Sequence, residues 1–145
     1  QGMDVIYSVE DAPLGTGGAV AQAARLLHEA EAHVLNGDTF LRFDLAALER
    51  SVADTGAALG MALARVPDVS RYGAVEVIDG LVRSFSEKGG DGPGLINAGS
   101  YFLTEPAFAV SNALKAHKTR SSSTERCSLL TSMRRIFLNN TRSNT

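Results

Sequence analysis

Between residues 3 and 66 the chain alternates two hydrophobic periods, and that alternation limits its folds more than any other feature. MDVIYSV is apolar and β-branched, lies between Gly2 and a Pro-Gly loop, and predicts a strand. From Gly17 to about Ala32, the residues Ala19, Val20, Ala23, Leu26, Leu27 and Ala30 recur at three- and four-residue steps, which is one face of a helix. HVLNGD reads as a short buried strand running into a Gly-Asp turn. Asp44 can cap a second helix, DLAALERSVADTG, in which Leu45, Leu48 and Val52 share a side and Gly56 is the stop. AALGMALARV is then a buried strand. Beyond it come a hairpin, YGAVEVI and LVRSFSE turned by Asp79-Gly80, a further strand INAGSYFL, and a helix from 105 to about 116. Strand, helix, strand, helix, strand predicts an α/β fold: a Rossmann-like, mostly parallel sheet with helices on both faces.

Length and charge bound the partners. At 145 residues one domain is the default, and 44% hydrophobic with 21% charged residues is ordinary for a soluble globular chain. No apolar run is long enough to span a bilayer, and QGMDVIYSV lacks the basic region and cleavage site of a secretion signal, so the expectation is no membrane partner and a cytoplasmic location. Cys127 is the single cysteine, which excludes an internal disulfide. Residues 1–114 carry seven Lys and Arg against fifteen Asp and Glu, a balance of −8, whereas 115–145 carry seven against Glu125 alone, a balance of +6. The basic end has one aromatic, Phe137, and matches no nucleic-acid motif, so no nucleic-acid partner is expected. The expected division is a body over 1–118 and a divergent basic tail over 119–145, disordered or partly helical.

Three stretches could carry chemistry. In EDAPLGTGGA, glycines let backbone amides approach a ligand just before a helix N-terminus, which favours anionic or polar partners, although such turns also serve as plain connections. Without a following Gly-Lys-Ser/Thr it is not a Walker loop. Asn36-Gly37-Asp38 ends a predicted strand, where a carboxylate can hold Mg²⁺ against a phosphate or merely turn the chain and cap a helix. Glu87-Lys88 and Asn97-Ala98-Gly99 offer a mobile cation for a phosphate and an amide for a sugar hydroxyl, or a solvated surface.

Taken in order, LGTGGA, LNGD, RYG, EKGG and INAGSYFL make the stretch from about Asp4 to Leu103 resemble the sugar-1-phosphate nucleotidylyltransferases, most closely their heptose 1-phosphate guanylyltransferase branch. The resemblance implies transfer of a nucleoside monophosphate from a nucleoside triphosphate to a sugar 1-phosphate of heptose or mannose type, with release of pyrophosphate, in nucleotide-sugar supply for polysaccharide. It places Gly15 and Thr16 against the base, with Glu10 at the base edge. Asp38 is implied as the Mg²⁺ ligand, and Asn36 and Gly37 as the nucleotide lining. Gly73 and Asn97 are implied at the sugar, Glu87 on its hydroxyls, Lys88 on its phosphate, and Tyr72 and Gly99 in the pocket wall. Asp38 and Lys88 are thus the implied catalytic pair, acting by alignment and charge neutralisation. A carboxylate accepts but does not donate, and guanine presents N1–H and N2–H₂ side by side, so Glu10 favours GTP.

The family also has a preceding strand with a Gly-rich basic loop for the triphosphate, and a late Phe-Ile-Asp-Ile-Gly segment carrying a second metal-binding aspartate. Neither has a counterpart in this sequence. The expectation is therefore a partial domain with an incomplete sheet, not turning over by itself, in which unpaired strand edges leave a homo-oligomer open. The alternatives are a catalytically inactive nucleotide- and sugar-phosphate-binding fragment, or a uridylyl or thymidylyl transferase.

Overall fold

The computed structural model describes residues 2–86 and 90–108, with the backbone of a two-residue strand at 136–137. Helix α1 spans Gly15–Ala23 and tightens into a 3-10 turn over Ala24–Leu26, short of the expected Ala32, and α2 spans Leu45–Thr55. The strands are β1 (Ala32–Leu35), β2 (Leu59–Val66), β3 (Ala74–Ile78), β4 (Leu81–Ser86), β5 (Gly94–Leu103) and β6 (Ile136–Phe137). They build one sheet in the order β4-β3-β5-β2-β6, with β1 also on β5. Residues 105–108 are helical; the rest of the helix expected to 116, and the tail outside β6, lie outside the described residues.

The mostly parallel sheet expected from the sequence is corrected here. β1, β2 and β3 all run antiparallel to β5, β4 runs antiparallel to β3, and among the described residues the sole parallel pairing is the short β2·β6 contact. The strand–helix–strand alternation does fix one thing. β1 and β2 both oppose β5, so they point the same way, as a crossover through α2 requires. They are not neighbours, however, because β5 is inserted between them.

The two helices cover opposite faces. Leu48 and Val52 of α2 are buried against Phe102 and Phe43. Beneath them lies Gly60, where a Cβ would sit 2.6 Å from Val52 Cγ2, so α2 rests on bare β2 backbone. Thr16, Gly17 and Val20 of α1 instead share a cavity with Leu59, Tyr101 and Leu103. Leu59 and Gly60 are consecutive on β2, as Tyr101 and Phe102 are on β5, and consecutive strand residues point to opposite faces. A second cluster, Met61, Leu63, Val75 and Val82 with Leu59 and Tyr101, fills the α1 side.

Local signals read from the sequence have physical counterparts. Asp79 and Gly80 both adopt positive φ, 52° and 74°, as the tight two-residue turn between β3 and β4 demands. Gly56 ends α2 at φ 61°. Asp44 does sit at the N-cap position, but its side chain makes no capping bond; its carboxylate accepts from Arg50 at 3.1 Å instead. His33, on β1, bonds Glu49 of α2 at 2.8 Å and tilts against Phe102 at 4.9 Å between ring centroids. That histidine pins strand to helix.

The expected first strand is also corrected. Residues 2–10 form no strand, and Met3, Val5, Ile6, Tyr7 and Val9 are 64–83% exposed. β-branched composition favours extended backbone, but a strand needs a ladder partner, and no described residue supplies one. The segment is held instead by Gln22 of α1, whose Nε2 donates to the Val9 carbonyl at 2.6 Å and to Ser8 Oγ at 3.2 Å.

Candidate functional site

The site is built around an irregularity in β5. Opposite β2, Met61 pairs with Tyr101 and Leu63 with Asn97, so four steps on β5 match two on β2. The excess is absorbed at Gly99, whose φ of 68° is one that a side-chain-bearing residue rarely adopts. β2 occupies one edge of β5, so β1 and β3 must share the other. β1 pairs with residues 100–103 and β3 with Ile96, which among the described residues leaves a gap in the sheet beside Asn97, Ala98 and Gly99.

Four predicted residues meet at that gap. Asn36 follows β1 directly, and its N–H donates to the Gly99 carbonyl at 2.8 Å, one step beyond the Leu35–Ser100 pair. A Cβ on Gly99 would lie 2.5 Å from Asn36 Nδ2, so the asparagine amide packs on the glycine itself. Asn97 Oδ1 accepts from the Gly99 N–H at 2.9 Å, and its Nδ2 donates to Tyr101 Oη at 2.6 Å. In an antiparallel ladder the residue before Ala74 runs beside the residue after Ile96, so Gly73 lies abreast of Asn97. Gly73 is itself confined, since a Cβ there would be 3.2 Å from the Ser86 carbonyl. Tyr72 stays half exposed, with its N–H on the Val69 carbonyl at 2.9 Å.

Asp38 stands two residues past Asn36 in a turn closed by the Thr39 N–H on the Asn36 carbonyl at 3.4 Å. The aspartate is exposed, and its Oδ1 accepts from the Thr39 hydroxyl at 3.3 Å. Gly37 lies between them in open space. Among the described residues there is no group of three or more His, Cys, Asp or Glu that could cage a metal. A lone accessible carboxylate suits Mg²⁺, which keeps several waters and is held by one or two carboxylates together with substrate phosphates. The donor set fits that mode.

Gly15 opens α1 at φ 69°, and Leu14 at the N-cap gives no side-chain bond. Thr16 reaches the gap indirectly. It lines a cavity of about 200 Å³ with Val34 and Tyr101, and Tyr101 holds Asn97. Glu10 lies elsewhere, at a separate pocket of about 350 Å³ with Val34 and His33. One of its carboxylate oxygens accepts from the Leu14 N–H at 2.8 Å and so closes the loop before α1. Glu87 and Lys88 lie outside the described residues.

Two residues with a role in this geometry were not singled out from the sequence. Tyr101 lies within INAGSYFL, and its four-residue spacing from Asn97 across a glycine is the signal that marks it. Asp68 lies in a D-x-S turn. The Ser70 hydroxyl, with the Ser70 and Gly92 N–H groups, holds the Asp68 carboxyl below the usual carboxylate range.

Residues 1–142 match the family described as nucleotidyl transferase. The chain is 43% identical over 108 residues to D-glycero-alpha-D-manno-heptose 1-phosphate guanylyltransferase of Campylobacter jejuni, covering 74% of this chain and 47% of that protein. It is 38% identical over 102 residues to mannose-1-phosphate guanylyltransferase of Mycobacterium tuberculosis, covering 69% of this chain and 28% of that one. The fold is similar to crystal structures of HddC from Yersinia pseudotuberculosis. One has a TM-score of 0.70 and 30% identity, covering 90% of this chain and 55% of that one. The other, at a TM-score of 0.66 and 27% identity, covers 91% and 56% and is a complex with GMP-PN. The chain thus spans about half or less of the relatives it matches.

Proposed function

The chain belongs to the nucleotidyl transferase family, and from that premise we propose that it serves transfer of GMP from GTP to a heptose or mannose 1-phosphate, with release of pyrophosphate. The observation that carries this reading is the meeting of Asn36, Gly73, Asn97 and Gly99 at one gap of the sheet. Residues more than sixty positions apart in sequence there bring two exposed amides, Asn36 and Asn97, and the exposed backbone of Gly73 to the same space, with Gly99 buried beneath the Asn36 amide. Such a surface hydrogen-bonds hydroxyls and lets a flat or phosphorylated ligand approach the main chain. The guanylyltransferase relatives and the GMP-PN complex of HddC support a guanine nucleotide.

In this reading Asn36 and Gly37 line the nucleotide, Thr16 and Gly15 the base side, and Gly73 and Asn97 the sugar. Asp38 would hold Mg²⁺, which supplies charge neutralisation between the two anionic reactants. No covalent intermediate with the protein is needed; the sugar phosphate oxygen attacks the α-phosphorus and pyrophosphate leaves. The work belongs in the cytoplasm, in nucleotide-sugar supply for polysaccharide. Among the described residues no helix is long and apolar enough to cross a membrane.

Calorimetric titration of the chain with GTP, UTP and mannose 1-phosphate in Mg²⁺, beside a pyrophosphate-release assay, tests this. Preferential binding of GTP together with sugar phosphate is expected, and binding of neither would reject the reading. Binding without pyrophosphate release would make the chain a nucleotide- and sugar-phosphate-binding module.

A further inference from the structure

Two loops meet at one end of the sheet. The first, residues 67–73, joins β2 to β3 and ends in Tyr72 and Gly73; the second precedes β5 and is described from Gly90. Val66 pairs with Gly94 and Ala74 with Ser86, so both loops leave the sheet at the same edge. What joins them is Asp68. Its Oδ1 accepts the Ser70 N–H at 2.9 Å within its own loop and the Gly92 N–H at 3.3 Å from the other, and its Oδ2 accepts the Ser70 hydroxyl at 2.7 Å. The next residue closes the same seam, for the Val69 N–H donates to the Gly92 carbonyl at 2.9 Å. The Val69 side chain is buried, and a Cβ on Gly94 would lie 2.7 Å from its Cγ1. The Val69 carbonyl in turn receives the Tyr72 N–H at 2.9 Å.

We propose that Asp68 is a positioning residue for sugar phosphate: by clamping the 67–73 loop to Gly92 it holds Tyr72 and Gly73 beside Asn97. This rests on the reading of that gap as the sugar site. Asp68 touches no ligand in this assignment. Its effect passes from Gly92 through Val69 to Tyr72, whereas Asn36 and Asp38 are held by other bonds and Thr16 lies on α1. The clamp therefore separates the two substrates. Loss of it should weaken sugar phosphate and leave the nucleotide alone.

The experiment compares the full chain with Asp68→Ala, Asp68→Asn and Gly94→Ala, reading amide hydrogen exchange at Ser70 and Gly92 and affinities for mannose 1-phosphate and for GTP with Mg²⁺. Asparagine keeps an acceptor for both N–H groups, and the serine hydroxyl can accept from its amide, so Asp68→Asn should behave as the parent. Asp68→Ala should raise exchange at both amides and weaken mannose 1-phosphate about tenfold, the scale of one or two hydrogen bonds lost at the sugar, with GTP affinity within about twofold. Gly94→Ala strikes the seam from the start of β5, through Val69, and should reproduce the sugar-selective loss. Unchanged exchange in Asp68→Ala would overturn the clamp. Equal weakening of both ligands would overturn its sugar-specific role, as would no rescue by asparagine. If the parent chain binds neither ligand while exchange responds as expected, the functional reading fails and the positioning role falls with it, but the seam stands.

Discussion

Asn36 and Gly99 are joined twice: the asparagine N–H donates to the glycine carbonyl at 2.8 Å, and the asparagine amide occupies the space where a Cβ of residue 99 would be. Gly99→Ala would therefore meet two obstacles, a φ of 68° and a contact of 2.5 Å with Asn36 Nδ2. A non-glycine residue in this region costs about 1–3 kcal/mol, before any cost of moving the amide. Urea denaturation should show at least that loss. Because the displaced group is Asn36, GTP affinity should fall as well, and an alanine variant with parental stability and affinity would show that the close approach has no function.

The α2 seat makes a second prediction with an internal control. Leu48 is fully buried, and a Cβ on Gly60 would lie 2.9 Å from its Cδ1 and 2.6 Å from Val52 Cγ2. Gly60→Ala should cost about 1–3 kcal/mol through overpacking. Leu48→Ala should cost about 2–5 kcal/mol through lost burial and a cavity. Since the added methyl enters space that the removed leucine vacates, the double variant should be less destabilised than the two single losses together. Strict additivity in equilibrium denaturation would mean that the helix shifts as a body instead.

Much of this arrangement was legible because it is local. The Asp79-Gly80 turn and the end of α2 at Gly56 depend on the φ values that particular residue types permit, and those travel with the sequence. Strand pairing does not. Met3–Val9 has the composition of a strand, but its state depends on a partner elsewhere, and the described residues leave it without a ladder and exposed. Likewise the alternation fixed the shared direction of β1 and β2, while the insertion of β5, which begins 28 residues beyond β2, is set by long-range pairing. In the site, motif order pointed to Asn36, Gly73, Asn97 and Gly99. The engagement of Glu10 by Leu14, and the role of Tyr101 as holder of Asn97, belong to side-chain geometry that spacing does not encode.

The Asp68 clamp should also leave a trace in the pH dependence of stability. Its carboxyl is held below the ordinary aspartate range by the Ser70 hydroxyl first and then by the Ser70 and Gly92 N–H groups. A depressed folded-state pKa means stability that is fully present above the unfolded value and is lost as pH falls through the folded one. The Tm difference between the parent and Asp68→Ala should thus be steady from about pH 7 to about pH 5 and narrow below about pH 4. Other carboxylates titrate in both proteins and cancel. A difference that stays constant into strong acid would show that the aspartate acts through packing rather than through its charge.

The sequence reading expects Glu10 to set base preference, and its observed bond decides which substitution tests that expectation. Leu14 donates to one carboxylate oxygen at 2.8 Å, so glutamine, whose carbonyl can accept the same N–H, leaves the loop closed while removing the charge. Glu10→Gln should preserve Tm and narrow the ratio of GTP to UTP affinity. Glu10→Ala should open the loop and lower Tm as well. Unchanged selectivity in the glutamine variant would remove Glu10 from base recognition and leave it as a loop closure.

Asp38 offers the sharpest test of the metal. Its carboxylate is exposed and makes one bond to a neighbouring hydroxyl, at 3.3 Å, so Asp38→Asn removes charge while disturbing nothing buried. Stability should stay within about 0.5 kcal/mol of the parent, as for most surface substitutions. If the carboxylate holds Mg²⁺ against the triphosphate, the parent should bind GTP more tightly with Mg²⁺ than with a chelator, and the asparagine variant should lose most of that difference. The comparison is internal to each protein, so it does not depend on turnover. A Mg²⁺ enhancement that survives intact in Asp38→Asn would place the metal on the nucleotide alone, with no protein carboxylate required.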